Sequence, residues 1–374
     1  MVDFRALRRL DWRIILIVNC LMFISLLVIS SMTAGEGESV SFWTPLAKSQ
    51  LRWYCLGWCF FLFCVAFDYR RLREWALPLY IVMIVLLVGL FFVSPIQNVH
   101  RWYRIGGLMS FQPSEEAKLI LIVALSWFLE RRGNAVSTLK TAFQIGGVVG
   151  IPFLLILKQP DLGTALILYP MALGMTYFAG VHRLALKLLS GLGLVGLVVS
   201  SLFFLKVVSH EEMRPMFTRV LREYQYERLN PDTYHQKASL IAIALGGWTG
   251  SGWRESTFSG KKWLPAAQTD SVFSAFGEEF GFVGLMFLLF LFFSLIYCSF
   301  QVATLAKDPF GRLLAAGLSM YLGLHAVANM AMMCALLPIS GVPLIFVTYG
   351  GSSLMASMGA LGVLQSIYSR RFMF

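Results

Sequence analysis

The sequence predicts an all-α polytopic membrane protein, a single bundle of about ten transmembrane helices. Three observations carry this expectation. The 374 residues are 57% hydrophobic and only 14% charged, where a soluble domain carries roughly a quarter charged residues. The apolar residues fall into long runs, and about 20 such residues span a bilayer as a helix. Lys and Arg stand at the ends of those runs, so the formal charge of +11 reads as an orientation signal and not as a nucleic-acid surface. The 31 Phe and 10 Trp exclude a disordered chain, and six Cys in 374 residues exclude a disulfide scaffold.

The first apolar run, 12–33, follows a basic segment and precedes Ala34-Gly35, as a cleaved leader would. It is long for a signal core, and nine further runs follow, so an uncleaved first helix is expected. Those runs lie near 48–67, 75–94, 114–129, 141–158, 162–180, 184–208, 271–301, 311–335 and 341–367. They form one integral domain, 1–374, with a long loop, 209–270, between the seventh and eighth helices. Ten spans put both chain ends on one side. That side collects sixteen basic residues: Arg5, Arg8, Arg9, Arg13, Arg70, Arg71, Arg73, Arg131, Arg132, Lys140, Arg183, Lys187, Lys307, Arg312, Arg370 and Arg371. The short opposite loops hold five, Lys48, Arg52, Arg101, Arg104 and Lys158. The positive-inside rule then places both termini in the cytoplasm and the long loop outside.

Several motif matches carry no chemistry. The six Cys lie inside apolar runs without metal or redox spacing. Gly191, Gly193 and Gly196 spell G-x-G-x-x-G with no strand before them, so close helix packing is expected there. Ser259 to Lys262 spells S-x-x-K without its companion motifs. No Walker A motif is present.

Ionisable groups near the bilayer core are functional candidates by default. Four groups qualify. In RWYRIGGLMSFQPSEEAKL (101–119), Pro113, Ser114, Glu115 and Glu116 suit a helix start. Lys118, one turn further in, shares a face with Glu115, and the spacing predicts a buried ion pair. Arg101 and Trp102 lie just before. Between the fifth and sixth helices, Asp161 stands three residues before Thr164, as a helix cap would. At the start of the eighth helix come Thr269 and Asp270, with Glu278 and Glu279 about 12 Å further along. In the tenth, Tyr349 to Ser353 is a stretch of small residues. The loop segment 211–229 places Met213, Phe217, Val220, Leu221 and Tyr224 on one side and Arg214, Arg219, Arg222 and Arg228 on the other. It is expected as an amphipathic helix on the outer surface whose arginines could hold a phosphorylated headgroup.

These residues together resemble the SEDS family (shape, elongation, division and sporulation), which includes RodA, FtsW and SpoVE. The resemblance covers nearly the whole chain: Asp11-Trp12, Arg101-Trp102, Q-P-S-E at 112–115 with Lys118, and Q-P-D-L-G-T at 159–164. It continues through S-L-I-A-I at 239–243, Gly246-Gly247, Gly250, Gly252 and Thr269-Asp270. It ends with Gly277-Glu278-Glu279, Asn329 and P-L-I-F-V-T-Y-G-G-S-S at 343–353. The short N-terminus leans to the RodA branch. The resemblance implies a ten-helix bundle that polymerises lipid II, the undecaprenyl-diphosphate-linked disaccharide peptide, into glycan strands outside the membrane. Its implied partners are a class B penicillin-binding transpeptidase and other elongation-complex membrane proteins; nucleic acid is not among them. Asp270 matches the family's catalytic acid. Arg101, Trp102, Glu115, Lys118, Asp161, Thr269 and Glu279 match positions that bind substrate in the cavity. Departures from the family pattern are Ala266 for the usual Glu and Gln268 for the usual His.

The chemistry fits that role. An acceptor hydroxyl must lose a proton as it attacks the donor's anomeric carbon, and a carboxylate can take it. The departing diphosphate needs cations, which Arg101, Lys118, the loop arginines or a divalent ion (Mg or Mn) at Asp270 could supply. No dedicated metal cage is visible. The alternatives are a lipid II flippase and a non-catalytic scaffold for a penicillin-binding protein. The partner's helix is expected on the ninth span, along Gly317, Gly323 and Asn329.

Overall fold

The computed structural model describes residues 7, 9–33, 41–93, 101–105, 109–219 and 223–372. Ala34-Gly35, Arg5, Arg8 and Val220 to Arg222 lie outside them, and the side chains of Arg104 and Tyr224 are likewise not described. The helices are α1 (Trp12–Met32), α2 (Pro45–Ala66), α3 (Leu72–Gly89), α4 (Pro113–Arg132), α5 (Leu139–Lys158), α6 (Leu162–Phe178) and α7 (Arg183–Phe204). Then follow the short α8 (His210–Phe217), α9 (Glu223–Glu227) and α10 (Tyr234–Gly246), and the long α11 (Val272–Leu305), α12 (Pro309–Met333) and α13 (Gly351–Ser369). The ten expected spans are α1–α7 and α11–α13. A hairpin of β1 (Tyr103–Ile105) and β2 (Met109–Phe111), paired antiparallel with Tyr103 opposite Phe111, is the one departure from an all-α chain among the described residues.

Local chemistry sets the helix starts. Asp11, Thr44, Asp161 and Asp308 each cap a helix by accepting a backbone N–H from its first turn. Pro45, Pro113 and Pro309 occupy first-turn positions where no N–H is needed. Six of the described helices are long and apolar enough to cross a membrane: α1, α3, α5, α7, α11 and α12. α6 is apolar but shorter, with 17 residues. α4 and α13 are less apolar because they face protein; most of their residues are buried. α7 is the reverse case. Only Ser200 and Phe203 are buried on it, while Leu184, Leu188 and Leu192 are exposed, as on a lipid-facing helix.

The N-terminal entry and the C-terminal exit are tied together. The Asp11 N–H donates to Gln365 Oε1 (2.9 Å), and Gln365 Nε2 donates back to the Asp11 carbonyl (3.1 Å). Both ends of the described chain therefore lie on one face of the bundle.

Three expectations are corrected. The tenth helix begins at Gly351, ten residues late, because 341–350 crosses the bundle as irregular backbone with Leu344 to Val347 fully buried. Segment 211–229 is not one helix. α8 ends at Phe217, two residues beyond Pro215, and α9 starts at Glu223. Among its described residues the buried one is Tyr226, which meets Phe203, His210 and Phe217. Arg214 is exposed and pairs there with Glu223 and Glu227. Finally, α12 runs through the interior. A Cβ on Gly317 would meet Ile122 of α4 at 2.6 Å, and Asn329 is inaccessible, so these two do not face a partner's helix, whereas Gly323 is half-buried beside Ile296 of α11. Of the glycines in α7, only Gly193 packs closely, against Tyr169. Gly351 lets Trp53 of α2 approach.

Candidate active site

The acids that the sequence singles out come to rest in different surroundings. Asp161 caps α6. Its Oδ1 accepts the Thr164 N–H (3.3 Å), and its Oδ2 accepts the Thr164 hydroxyl (3.0 Å), the Ser114 hydroxyl (2.8 Å) and Gln112 Nε2 (3.0 Å). The carboxylate therefore binds the start of α4 to the start of α6. Arg101, arriving from the hairpin side, donates to the carbonyls of Gln159 (3.2 Å) and Pro160 in the turn before α6. It secures the same junction, with half-buried Trp102 beside it in sequence.

Lys118 is 1% exposed, and it pairs with Glu115 at 2.8 Å as the i,i+3 spacing predicts. A second partner comes from far along the chain. His325 of α12 presents Nε2 to Lys118 Nζ at 2.9 Å, so the imidazole accepts there. Tyr321, one turn earlier, lays its ring 5.6 Å from the ammonium. Glu115 Oε2 and His325 Nδ1 are buried without a hydrogen-bond partner among the described residues. The only available hint was a lone His at helical spacing from Asn329 in an apolar run.

Glu278 and Glu279 organise the loop ahead of them. Glu278 accepts the Phe258 N–H (2.8 Å), the Ser259 N–H (2.9 Å) and the Ser259 hydroxyl (2.5 Å); this is what Ser259 does. Glu279 Oε1 accepts the Ser31 hydroxyl and the Arg254 N–H (3.1 Å). α11 breaks just after them, at Gly281, whose φ is +63°. Into the break fits the glycine-rich end of α10. Ser251 and Gly252 donate to the carbonyls of Glu278 and Glu279 (3.0 Å each), and Phe282 donates back to Gly247 (2.9 Å). Gly250, at φ +83°, is obligatory here, since a Cβ would fall on the Glu279 carbonyl.

Asp270 ends this loop, two residues before α11. It is half-buried, and among the described residues no donor hydrogen-bonds its carboxylate. Its backbone is held instead. Asn329 Nδ2 donates both to the Asp270 carbonyl (2.9 Å) and to the Val342 carbonyl (2.8 Å). Next to it, Thr269 offers its carbonyl to the Thr348 hydroxyl (3.2 Å), and Gln268 accepts the Tyr349 N–H (3.0 Å). The crossing segment 341–350 thus braces the whole Gln268–Asp270 stretch. The ideal Cβ position of Gly341 lies 3.6 Å from Asp270 Oδ2, so a side chain there would cover the carboxylate. Burial raises the Asp270 pKa, with His235 and Arg228 opposing that shift. His235, at the start of α10, is hydrogen-bonded to the Ser271 hydroxyl (2.6 Å). Arg228 donates to the Ile339 carbonyl (3.0 Å). Among the described residues no group of three potential metal-binding side chains exists.

Ser340 also touches the Asp161 junction, since a Cβ on Gly163 would lie 2.7 Å from its carbonyl. Through segment 339–342, the Asp161–Arg101 junction and the Asp270 loop become neighbours. Glu115–Lys118–His325 sits inside the bundle, joined to this region by α12.

The comparisons with known proteins agree with this arrangement. The family profile for FtsW, RodA and SpoVE, described as "Cell cycle protein", matches residues 9–371. A peptidoglycan glycosyltransferase MrdB of Escherichia coli K12 is 31% identical over 365 residues, 97% of this chain and 95% of that protein. A probable peptidoglycan glycosyltransferase FtsW of Trichlorobacter lovleyi is 34% identical over 333 residues, 86% of this chain and 82% of its own length. A chain from a solved structure of a peptidoglycan synthase complex, described as coordinating polymerization and crosslinking, superimposes with a TM-score of 0.75 at 25% identity, covering 98% of this chain and 99% of that one. The multi-pass bundle, the matched length and the ordered motifs together place this chain in the FtsW, RodA and SpoVE family of cell cycle proteins.

Proposed function

We propose that the chain is a peptidoglycan glycosyltransferase that polymerises lipid II on the outer face of the cytoplasmic membrane, with Asp270 as the general base. One observation carries the assignment of the base. Of the acids that match the family's site, Asp270 is the one whose carboxylate accepts no hydrogen bond among the described residues, while Asp161, Glu115 and Glu279 each hold protein donors. A base needs an open lone pair within reach of the proton that it abstracts.

In the proposed step the Asp270 carboxylate takes the proton of the acceptor sugar hydroxyl. That oxygen bonds to the donor's anomeric carbon as the bond to the lipid diphosphate breaks, and the diphosphate leaves with the electron pair. Arg228, whose charge acts on Asp270 while its guanidinium also donates to the Ile339 carbonyl, would meet the developing charge. Arg101 and Lys118 are already engaged, so their roles are to hold the α5–α6 turn and the interior. Thr269 and Trp102 would border the bound sugars. Asp270 is the side chain that would hold a divalent ion, which would supply further positive charge for the leaving diphosphate.

The likeness to a solved rod shape determining protein RodA of Thermus thermophilus, with a TM-score of 0.70 at 25% identity over 98% of both chains, supports the RodA branch. A class B penicillin-binding protein is the proposed partner, supported by the likeness to a chain from a complex that couples polymerization to crosslinking. Both chain ends are assigned to the cytoplasm from the distribution of basic residues. A cytoplasm-only reporter fused after Phe374 should be active, and activity of a periplasm-only reporter would overturn that orientation.

The test of the base is Asp270→Asn in purified protein with lipid II in detergent. Glycan strands should fall at least about 100-fold with the protein still folded. Near-normal synthesis by the Asn variant would show that Asp270 is not the base. Because detergent leaves no membrane to cross, wild-type strand synthesis also separates a polymerase from a flippase or a scaffold.

A further inference from the structure

On the face that carries both chain ends, away from the Asp270 site, a cavity of about 360 Å³ opens between the α2–α3 turn, the α11–α12 turn and the end of α13. That is within the range of ligand-binding cavities, roughly 300–1,000 Å³. Five cations line it, Arg70, Arg73, Lys307, Arg370 and Arg371, together with one acid, Asp308.

The wall is built. Arg370, 4% exposed, donates to the carbonyls of Val65 (3.1 Å), Ala66 (3.1 Å) and Ser366 (3.2 Å), capping the end of α2. Tyr69 donates to Asp308 Oδ1 at 2.5 Å, and Asp308 Oδ2 accepts the Gly311 N–H at 2.9 Å. Arg73 reaches Glu130 (2.8 Å) and Asp308 (3.4 Å). Asp68 stands 3.9 Å from Arg370. Counting Asp308, Glu130 and Asp68 against the five cations leaves a net charge of +2 in a concave site.

Its position sets the ligand. Trp75, Leu305 and Phe372 are exposed apolar side chains within two residues of the lining residues Arg73, Ala306 and Arg371. Aromatic side chains flanking cations mark the depth of the lipid headgroups, and basic pockets between helices at that depth suit phosphate-bearing headgroups. We infer that this cavity binds the phosphodiester of an anionic phospholipid. Positive-inside charge alone needs no cavity; here three separate elements converge on one.

The experiment uses the full chain in detergent, titrated with phosphatidylglycerol and with phosphatidylcholine and followed by native mass spectrometry. Arg70→Gln combined with Lys307→Gln removes two lining cations and leaves the Arg370 and Arg73 bonds intact. Arg131→Gln with Arg132→Gln removes the same charge from the same face outside the cavity. Phosphatidylglycerol should bind in preference to phosphatidylcholine. The cavity pair should weaken it by about tenfold or more, at roughly fivefold per cation, while the outside pair leaves it near wild type. Equal weakening by both pairs, or by neither, overturns the inference. If the cavity pair does not fold, Lys307→Gln alone, at an exposed position, should still weaken binding about fivefold, and no change would count against the site. Inorganic phosphate is titrated separately. Phosphate binding that the cavity pair abolishes, without phosphatidylglycerol binding, would make the ligand a soluble phosphate and overturn the lipid assignment.

Discussion

Replacing Lys118 by Met should destabilise the chain through the charge left behind. The ammonium is 1% exposed and its carboxylate partner 7%, so solvent offers neither group a substitute and no discount for surface screening applies. Removing one member of a buried pair costs about 3–5 kcal/mol. At 1.4 kcal/mol per tenfold, that is a factor of roughly 150 to 4,000 in the folding equilibrium. Lys118→Met strands the Glu115 carboxylate and also takes the donor from His325 Nε2. Adding Glu115→Gln neutralises the stranded charge and should recover part of the loss, the remainder reflecting His325. The assay is the temperature at which the detergent-solubilised protein loses its monodisperse gel-filtration peak, measured for wild type, both single variants and the double. A double variant no more stable than Lys118→Met would refute direct coupling between the two charges.

Two further outcomes follow from the loop around Asp270. Burial raises the Asp270 pKa, while Arg228 and His235 oppose the rise; a base acts when ionised, so activity should climb as pH increases through that pKa. Arg228→Gln removes one opposing influence and should move the acidic limb of the pH–rate profile to higher pH; a shift to lower pH would contradict the placement of Arg228 beside the base. Gly250→Ala puts a Cβ against the Glu279 carbonyl at a positive φ. It should reduce folded protein in membranes severely, whereas Gly133→Ala, at a positive φ but with open space around it, should be milder; equal yields would contradict the close packing of loop and helix.

Most of the helices were legible because they are apolar runs of helix length, and the Glu115–Lys118 pair because i,i+3 spacing is a local rule. What the sequence hid was long-range. Nothing local tells that Asp161 accepts from Gln112 and Ser114, almost fifty residues earlier, or that Glu278 accepts from Ser259. Residues 341–350 misled for another reason. Pro343 to Val347 is as apolar as a helix core, and hydrophobicity alone does not distinguish a buried coil from a buried helix. Gly317 of α12 misled as well. It permits close approach, but the approaching surfaces are Ile122 and Met175 of this same chain.

A membrane-embedded carboxylate must find donors or water, because lipid offers neither. Here that requirement sorts the acids. Asp161, Glu278 and Glu279 sit where irregular backbone enters the bundle, and each accepts backbone or hydroxyl donors from it. They make the α4–α6 junction and the glycine-rich loop possible, and in doing so both oxygens of Asp161 and Glu278 and one oxygen of Glu279 are engaged. Asp270 is fixed differently. Asn329 and Thr348 hold the carbonyls of Asp270 and Thr269, so the position is set by the main chain while the side chain stays available. A group positioned through its backbone can change protonation without dissolving the contacts that place it. Neither Asp161 nor Glu278 could be protonated without weakening the junction that it builds. The same donors that make those acids structural leave the Asp270 carboxylate available for the proposed proton transfer.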